Sequence, residues 1–212
     1  MPGACQEWTA VTGSRERLRA LRVAPVILTG FAMLAVSDGC GSDPDPRDID
    51  GAIATALQHA EAGDAGHLFR VIDQRARHAM ASIQQDRSEA RRLVRASYPP
   101  ATRDETLRSL GDAAGATSAA DLFARRCDGA CLAGLVDVLR APASVQRDGD
   151  DATISTVHGG TFRMHRGNDG WWGLVWHTDE LEAERNRAAR DLEQIRANAS
   201  VYERRRALGD PW

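Results

Sequence analysis

Few side chains in this chain are spaced to do chemistry, and the clearest pair is Cys127 and Cys131 in the segment CDGAC. Residues four apart on a helix lie about 6 Å apart between Cα atoms, within disulfide reach. Gly129 would help the chain bend there. Reduced thiols remain the alternative, whereas tetrahedral zinc wants four ligands and no second Cys or Cys/His pair has ligand spacing. The spacing is not the C-x-x-C of redox motifs either.

Trp171, Trp172 and Trp176 form the densest aromatic cluster. With Leu174 they could line an apolar pocket, since large rings bury much area and offer stacking surfaces. The plainer alternative is that Trp172, Leu174 and Trp176 share one strand face and fill the core. His158, His165 and His177 fall in the same region and could converge as imidazole ligands. His158 sits in a glycine turn, however, and none shows the i,i+4 spacing of H-E-x-x-H, so unrelated surface histidines are expected. No G-x-S-x-G, P-loop or G-x-G-x-x-G occurs, and without a cavity no carboxylate pair can be nominated for acid and base work. No catalytic residue, metal site or cofactor is therefore expected.

The first forty residues read as an address. Arg15, Arg17, Arg19 and Arg22 precede VAPVILTGFAMLAVS, an uncharged run from Val23 to Ser37. Positive residues followed by an apolar run are the layout of a secretory signal. A bilayer core needs about 20 apolar residues in a helix, and Pro25 and Gly30 weaken this shorter run further. A cytosolic core helix is the competing reading, but the polar GSDPDPRD that follows has the composition of a tether. Ser37-Asp38-Gly39-Cys40 resembles a bacterial lipobox, in which a small residue precedes a cysteine that is acylated and becomes the new N-terminus. Gly39 and Cys40 fit, whereas Ser37 and Asp38 depart from the aliphatic and small uncharged residues usual there. Cleavage after Ser37, with Ala35 and Ser37 small at −3 and −1, would give a secreted protein instead. If Cys5 leaves with the signal and Cys40 carries lipid, the remaining cysteines pair evenly in an oxidising compartment.

A chain of 212 residues and 23.0 kDa with 42% hydrophobic content has material for one core plus a leader. A net charge of −3 provides no bulk attraction to nucleic acid. The sequence divides into a signal over 1–39, a tether over 40–47 and a domain over 48–212. From Asp48 the apolar period is helical, with Ile49, Ile53, Leu57 and Ala60 on one stripe. Gly63 can stop that helix and Asp64 cap the next. A second helical segment starts with Leu68, Phe69 and Ile72 and runs to Tyr98, its polar stretch QQDRSEARR being either a solvated face or a break. Thr102 and Glu105 have capping-box spacing for a helix over Arg103 to Leu110, and Ser118 can cap Ala119 to Arg126. Leu132, Leu135, Val136 and Leu139 make a further helical face ending at Pro142.

The period then changes to two. Val145, Ile154 and Val157, Phe162 and Met164, and Trp172, Leu174 and Trp176 mark four strands, separated by RDGD, HGG and RGNDG. The predicted sheet spans about 143–177, and WWGLVW, apolar on both faces, calls for cover on both sides. Asp179 to Leu208 predicts a long amphipathic helix with Leu181, Ala188, Leu192, Ile195, Ala199 and Tyr202 on one stripe. Its Glu182 with Arg185, Glu184 with Arg187, Glu193 with Arg196 and Glu203 with Arg206 are spaced to pair along the helix. Arg204, Arg205 and Arg206 could touch lipid phosphates, although a run of three also suits a solvated face. The fold class is α+β: several short helices, then a four-stranded antiparallel meander, then the long C-terminal helix.

The segment from about Asp64 to Trp176, with VHGGTFRMHRGNDGWWGLVW after the helices, resembles bacterial lipoproteins with a nuclear-transport-factor-2-like cone. The resemblance implies a pocket between a curved sheet and its helices, used for binding or catalysis. The 30-residue helix after the last strand departs from that pattern. The expectation is a noncatalytic envelope lipoprotein held to a bacterial membrane by lipid on Cys40, meeting an envelope protein through its C-terminal helix. The rival expectation is a small-ligand or enzymatic pocket near Trp172 and Trp176.

Overall fold

The computed structural model describes residues 44–209. The expected signal, with Ser37 and Cys40, lies outside that range. Helix α1 (Ile49–Glu61) buries the expected stripe, Ile49, Ala52, Ile53, Ala56 and Ala60. Gly63 ends it at φ +69°, and the Asp64 carboxylate accepts from the His67 N–H to start α2 (Ala65–Leu68). A 3₁₀ turn over Phe69–Val71 then separates α2 from α3 (Gln74–Ser97), so the second helical segment expected from Leu68 is broken at 69–73. Ile72 is extended there and bridges Leu174 of the sheet, which removes it from any helix. Beyond the break, α3 runs 24 residues without interruption. QQDRSEARR is thus its polar face, not a second break.

Helix α4 (Pro100–Ser109) starts three residues earlier than Thr102 and Glu105 suggest. Proline fits the first helical position because it has no N–H to leave unsatisfied, and Thr102 Oγ1 donates to the Pro99 carbonyl instead of capping. After a 3₁₀ turn at Asp112–Gly115, Ser118 caps α5 (Ala119–Arg126) by accepting from the Asp121 N–H. Asp121 in turn accepts from the Thr117 N–H and from Arg125. Those bonds, Arg125's first and the Thr117 backbone's second, lower the Asp121 carboxyl from 3.8 to about 2. A carboxyl depressed by folding stabilises the native state above its ordinary range and loses that contribution as pH falls through about 2. Urea unfolding followed from pH 5 to pH 2 is therefore expected to show a shallower acid limb in Asp121→Asn than in wild type. Identical limbs would mean that the cap contributes nothing.

Helix α6 (Gly129–Leu139) begins under an Asp128 cap. Of its expected apolar face only Leu139 is fully buried, while Leu132, Leu135 and Val136 lie partly covered on the main core. The sheet is the expected meander, order β1-β2-β3-β4, from β1 (Pro142–Asp148) through β2 (Asp151–Thr156) and β3 (Thr161–Arg166) to β4 (Trp172–Leu174). Gly149, Gly159 and Gly170 take positive φ in the three connections, the conformation tight turns ask of glycine. Ala152, Ile154, Phe162 and Met164 face the core on alternate positions. The last strand stops at Leu174, so the sheet closes before the expected 177. Val157, expected in a strand, is exposed in the turn after β2.

Helix α7 (Thr178–Ala207) buries Leu181, Ala188, Leu192, Ile195 and Ala199, and Tyr202 meets Tyr98 edge to face at 4.9 Å. Its partner is α3. Arg75 bonds Glu182, Arg87 bonds Asp191, and Ser97 bonds Glu203, so residue numbers rise together and the two helices run parallel. Two of the acids expected to pair within α7 reach across instead, Glu182 to Arg75 on α3 and Glu184 to Arg126 on α5 through two bonds of 2.8 and 2.9 Å. One core lies beneath the sheet, and a second joins the distal halves of α3 and α7 around Val94, Tyr98, Leu110 and Ile195. Among the described residues no helix is long and apolar enough to cross a membrane.

Candidate functional site

Parallel packing brings the N-terminal ends of α3 and α7 together, beside the outward face of the sheet. Residues paired across a ladder share a face, which places Asp151 with His165, and His165 with Gly173, on that outward side. Gly173 allows a close approach: a Cβ there would stand 2.8 Å from the Asp73 Cα and 2.9 Å from its nitrogen. The Asp73 N–H donates to the Leu174 carbonyl at 2.8 Å. The backbone entering α3 is thus held against β4.

A cleft of about 300 Å³ opens at this junction, lined by Asp73 and Arg75 at the start of α3, Asp151, Arg163 and His165 from the sheet, and Val175 and His177 to Glu180 at the start of α7. Asp73 is its distinctive member. The residue is 2% exposed and occupies the N-cap position of α3 without capping it. Its Oδ2 accepts from the buried Thr178 hydroxyl at 3.3 Å, and its Oδ1 has no hydrogen-bond partner. A buried polar atom without a partner costs roughly 1–3 kcal/mol, and a native fold that keeps one calls for a specific reason. Two helix N-termini meeting here favour a negative side chain, which accounts for an acid at this point but not for the unpaired oxygen.

The other charges in the cleft are engaged. His165 Nδ1 lies 3.1 Å from Asp151 Oδ1, Arg163 lies 3.7 Å from the same carboxylate, and Arg75 holds Glu182 at 2.9 Å. His177 is the one described non-glycine residue with positive φ, at +48°. Left-handed backbone in such a residue is uncommon and worth a functional question. Here it turns the chain sharply from β4 into α7, with the Trp176 and His177 rings 4.8 Å apart. Chemically, an Asp-His pair beside a carboxylate can orient or exchange protons, yet the lining's one hydroxyl, on Thr178, is committed to Asp73.

The sequence-nominated positions fall elsewhere or only partly here. A disulfide joins Cys127 and Cys131, with Cα atoms 5.0 Å apart. They are not on one helix, because Cys127 ends α5 and Cys131 lies in the first turn of α6, so the bridge clamps a helix junction. Trp172 and Leu174 are each 2% exposed, and Trp176 leaves the strand to pack against the Phe123 ring at 5.0 Å. The free space beside Trp171 and Trp172 is about 10 Å³, room for about one water. The apolar pocket expected at Trp172, Leu174 and Trp176 is therefore filled by those side chains and their neighbours, with the guanidiniums of Arg147 and Arg166 over Trp172 at 4.9 and 5.9 Å. Two of the three sheet histidines, His165 and His177, line the cleft, while His158 stays in its turn. Among the described residues no group of three or more His, Cys, Asp or Glu is placed to hold a metal.

Sequence reasoning passed over Asp73. The signal available was an acid directly after Val71-Ile72, in a run that otherwise buries. The fold and site define an α+β domain with a polar cleft where two parallel helices start. The chain matches no family model, no curated protein and no solved structure.

Proposed function

We propose that this is an exported, noncatalytic envelope protein, held to a bacterial membrane by lipid on Cys40, whose domain binds a small polar ligand in the cleft at Asp73, His165 and His177. The observation that carries the binding reading is a cleft of about 300 Å³ lined by Asp73, His165 and His177 where two helices start. Sites for small molecules characteristically combine a formed concavity of about 300–1,000 Å³ with a few convergent polar groups. The address rests on the four early arginines, the uncharged run and Gly39-Cys40, in the order of a secretory signal.

Docking of an envelope protein on α7 is the second reading, favoured by the exposed Arg190, Glu193, Arg204 and Arg205 on its outer side. The apolar stripe that would have strengthened such a contact is spent on α3, so the contact would be made by solvated charges, each worth little.

Thermal unfolding in a small-molecule extract of the producing cells tests the cleft. A ligand that binds only the native state raises Tm in proportion to the logarithm of its concentration. The expected result is a dose-dependent rise in wild type that Asp73→Asn and His165→Ala both lose. An equal rise in both variants overturns the site. Mass spectrometry of the mature N-terminus tests the address separately, with acylated Cys40 expected and an intact Met1 contradicting it.

A further inference from the structure

We infer that α3 carries a second site, apart from the cleft, that binds a phosphomonoester dianion through Ser88, Arg91 and Arg95. The inference stands independently of the cleft and its ligand. Ser88, Arg91, Arg92 and Arg95 fall at i, i+3, i+4 and i+7 of α3, a spacing that puts them on one face of the helix. With Ala96 they line an open groove of about 470 Å³, and no carboxylate belongs to that lining.

The first ground is charge left unneutralised. Of the three guanidiniums, Arg92 is held by Glu89 through bonds of 2.8 and 2.7 Å. Arg91 donates to a neutral acceptor instead, the Ala114 carbonyl at 3.1 Å, and neither Arg91 nor Arg95 forms a salt bridge among the described residues. Two positive charges therefore remain on one wall. A carboxylate brings one negative charge, whereas a phosphomonoester brings about −1.5 to −2 and three acceptor oxygens. The second ground is the supply of donors. Ser88 Oγ accepts from Gln84 Nε2 at 3.0 Å, which leaves its O–H to donate, and guanidiniums only donate. The third ground is that one guanidinium is fixed beforehand. Arg91 is half-buried, and a Cβ at Gly115 would stand 3.3 Å from its Nη1, so its fork is held in place while the exposed Arg95 can close on a ligand. Arg206 donates to the Ala96 carbonyl at 3.4 Å and adds to the positive potential at that end. The helix dipole favours a cation within the last turn, which accounts for Arg95 but not for Arg91.

The test titrates the full-length protein by calorimetry with glycerol 3-phosphate, with dimethyl phosphate, a phosphate of single charge, and with acetate. Two charge-assisted contacts correspond to a Kd on the order of 1 mM, and glycerol 3-phosphate is expected to saturate in that range. Dimethyl phosphate and acetate are expected to bind at least about fivefold more weakly. Arg95→Gln is expected to weaken glycerol 3-phosphate about tenfold with the circular dichroism of wild type. Arg190→Gln, on the exposed outer side of α7, is expected to leave it unchanged. If Arg95→Gln fails to fold, Arg95→Lys replaces it, keeping the charge without the fork, with a weakening of about two- to fivefold expected. Sedimentation with phosphatidic acid vesicles, compared with phosphatidylcholine alone, then separates the sources of the ester. A preference for phosphatidic acid that Arg95→Gln loses assigns it to a lipid headgroup, and equal sedimentation with both assigns it to a soluble molecule. No saturation by glycerol 3-phosphate up to about 10 mM overturns the site, as does a folded Arg95→Gln that binds like wild type. Acetate binding as tightly as glycerol 3-phosphate overturns the dianion, and equal weakening in Arg190→Gln reduces the effect to bulk charge and overturns the site as well.

Discussion

Phe123→Ala is expected to lower the unfolding free energy by about 3–5 kcal/mol, the usual cost of removing a fully buried aromatic ring. For a domain of this size that corresponds to a fall in Tm on the order of 10 °C. Phe123 is wholly inaccessible and stands at a crossing of three elements. Its ring meets Phe69 in the turn before α3 at a centroid distance of 5.7 Å and Trp176, the residue before the start of the α7 turn, at 5.0 Å. The Trp176 contact is edge to face, and such a pair adds about 0.5–1.5 kcal/mol beyond the buried area. Relaxation around the hole is restricted, because the Ser118 cap and the Arg126–Glu184 pair fix α5 at both ends and the Cys127–Cys131 bridge ties its end to α6. Urea unfolding of the oxidised protein checks the size. A loss under 1 kcal/mol would mean that α5 collapses into the space freely.

Phe123 also illustrates which parts of the molecule are readable from sequence. Helix α5 is legible because its start carries a side-chain cap at Ser118. The meander was legible because alternation and glycine turns are local properties, and α7 because a 30-residue stripe has one solution. Two local signals misled. Thr102 and Glu105 have capping spacing, but Pro99-Pro100 already sets the backbone that opens α4, and the proline wins because its φ is fixed. Leu68, Phe69 and Ile72 keep helical spacing, but Ile72 gains a sheet neighbour in Leu174 that spacing alone does not announce. By its sequence WWGLVW reads as a full strand with an adjoining pocket. Trp172 and Leu174 are in that strand, yet Val175 donates to the Arg163 carbonyl as the chain turns away, and Trp176 is taken by Phe123. The cleft was not legible at all. Its residues come from the entry to α3, two strands and the entry to α7, and what unites them is the parallel registry of α3 and α7, a long-range property with no period to detect.

The close approach of β4 to the entry of α3 depends on one missing side chain, which makes Gly173→Ala the sharper test of the architecture. A methyl at 173 would stand 2.8 to 3.0 Å from backbone atoms of Asp73 and Ile72, and backbone anchored in a helix start and a sheet bridge cannot turn aside as a flexible side chain can. Overpacking of this kind costs about 1–3 kcal/mol, and the expected value is at the upper end because relief requires breaking the Asp73 N–H to Leu174 hydrogen bond. Gly134→Ala, in the exposed middle of α6 with nothing within 4 Å, is expected to do the reverse and stabilise by about 0.5–1 kcal/mol, since alanine is the better helix former. The same substitution thus has opposite signs at two sites in one protein, and urea midpoints measured side by side decide it. The cleft should respond only to the first. Pushing β4 from Asp73 moves the Gly173 backbone relative to Thr178 and His177, so the ring signals of His165 and His177 are expected to shift in Gly173→Ala and to stay in place in Gly134→Ala. A Gly173→Ala protein with wild-type stability and unmoved histidine signals would show that β4 and the start of α3 are not in the contact on which the cleft is built.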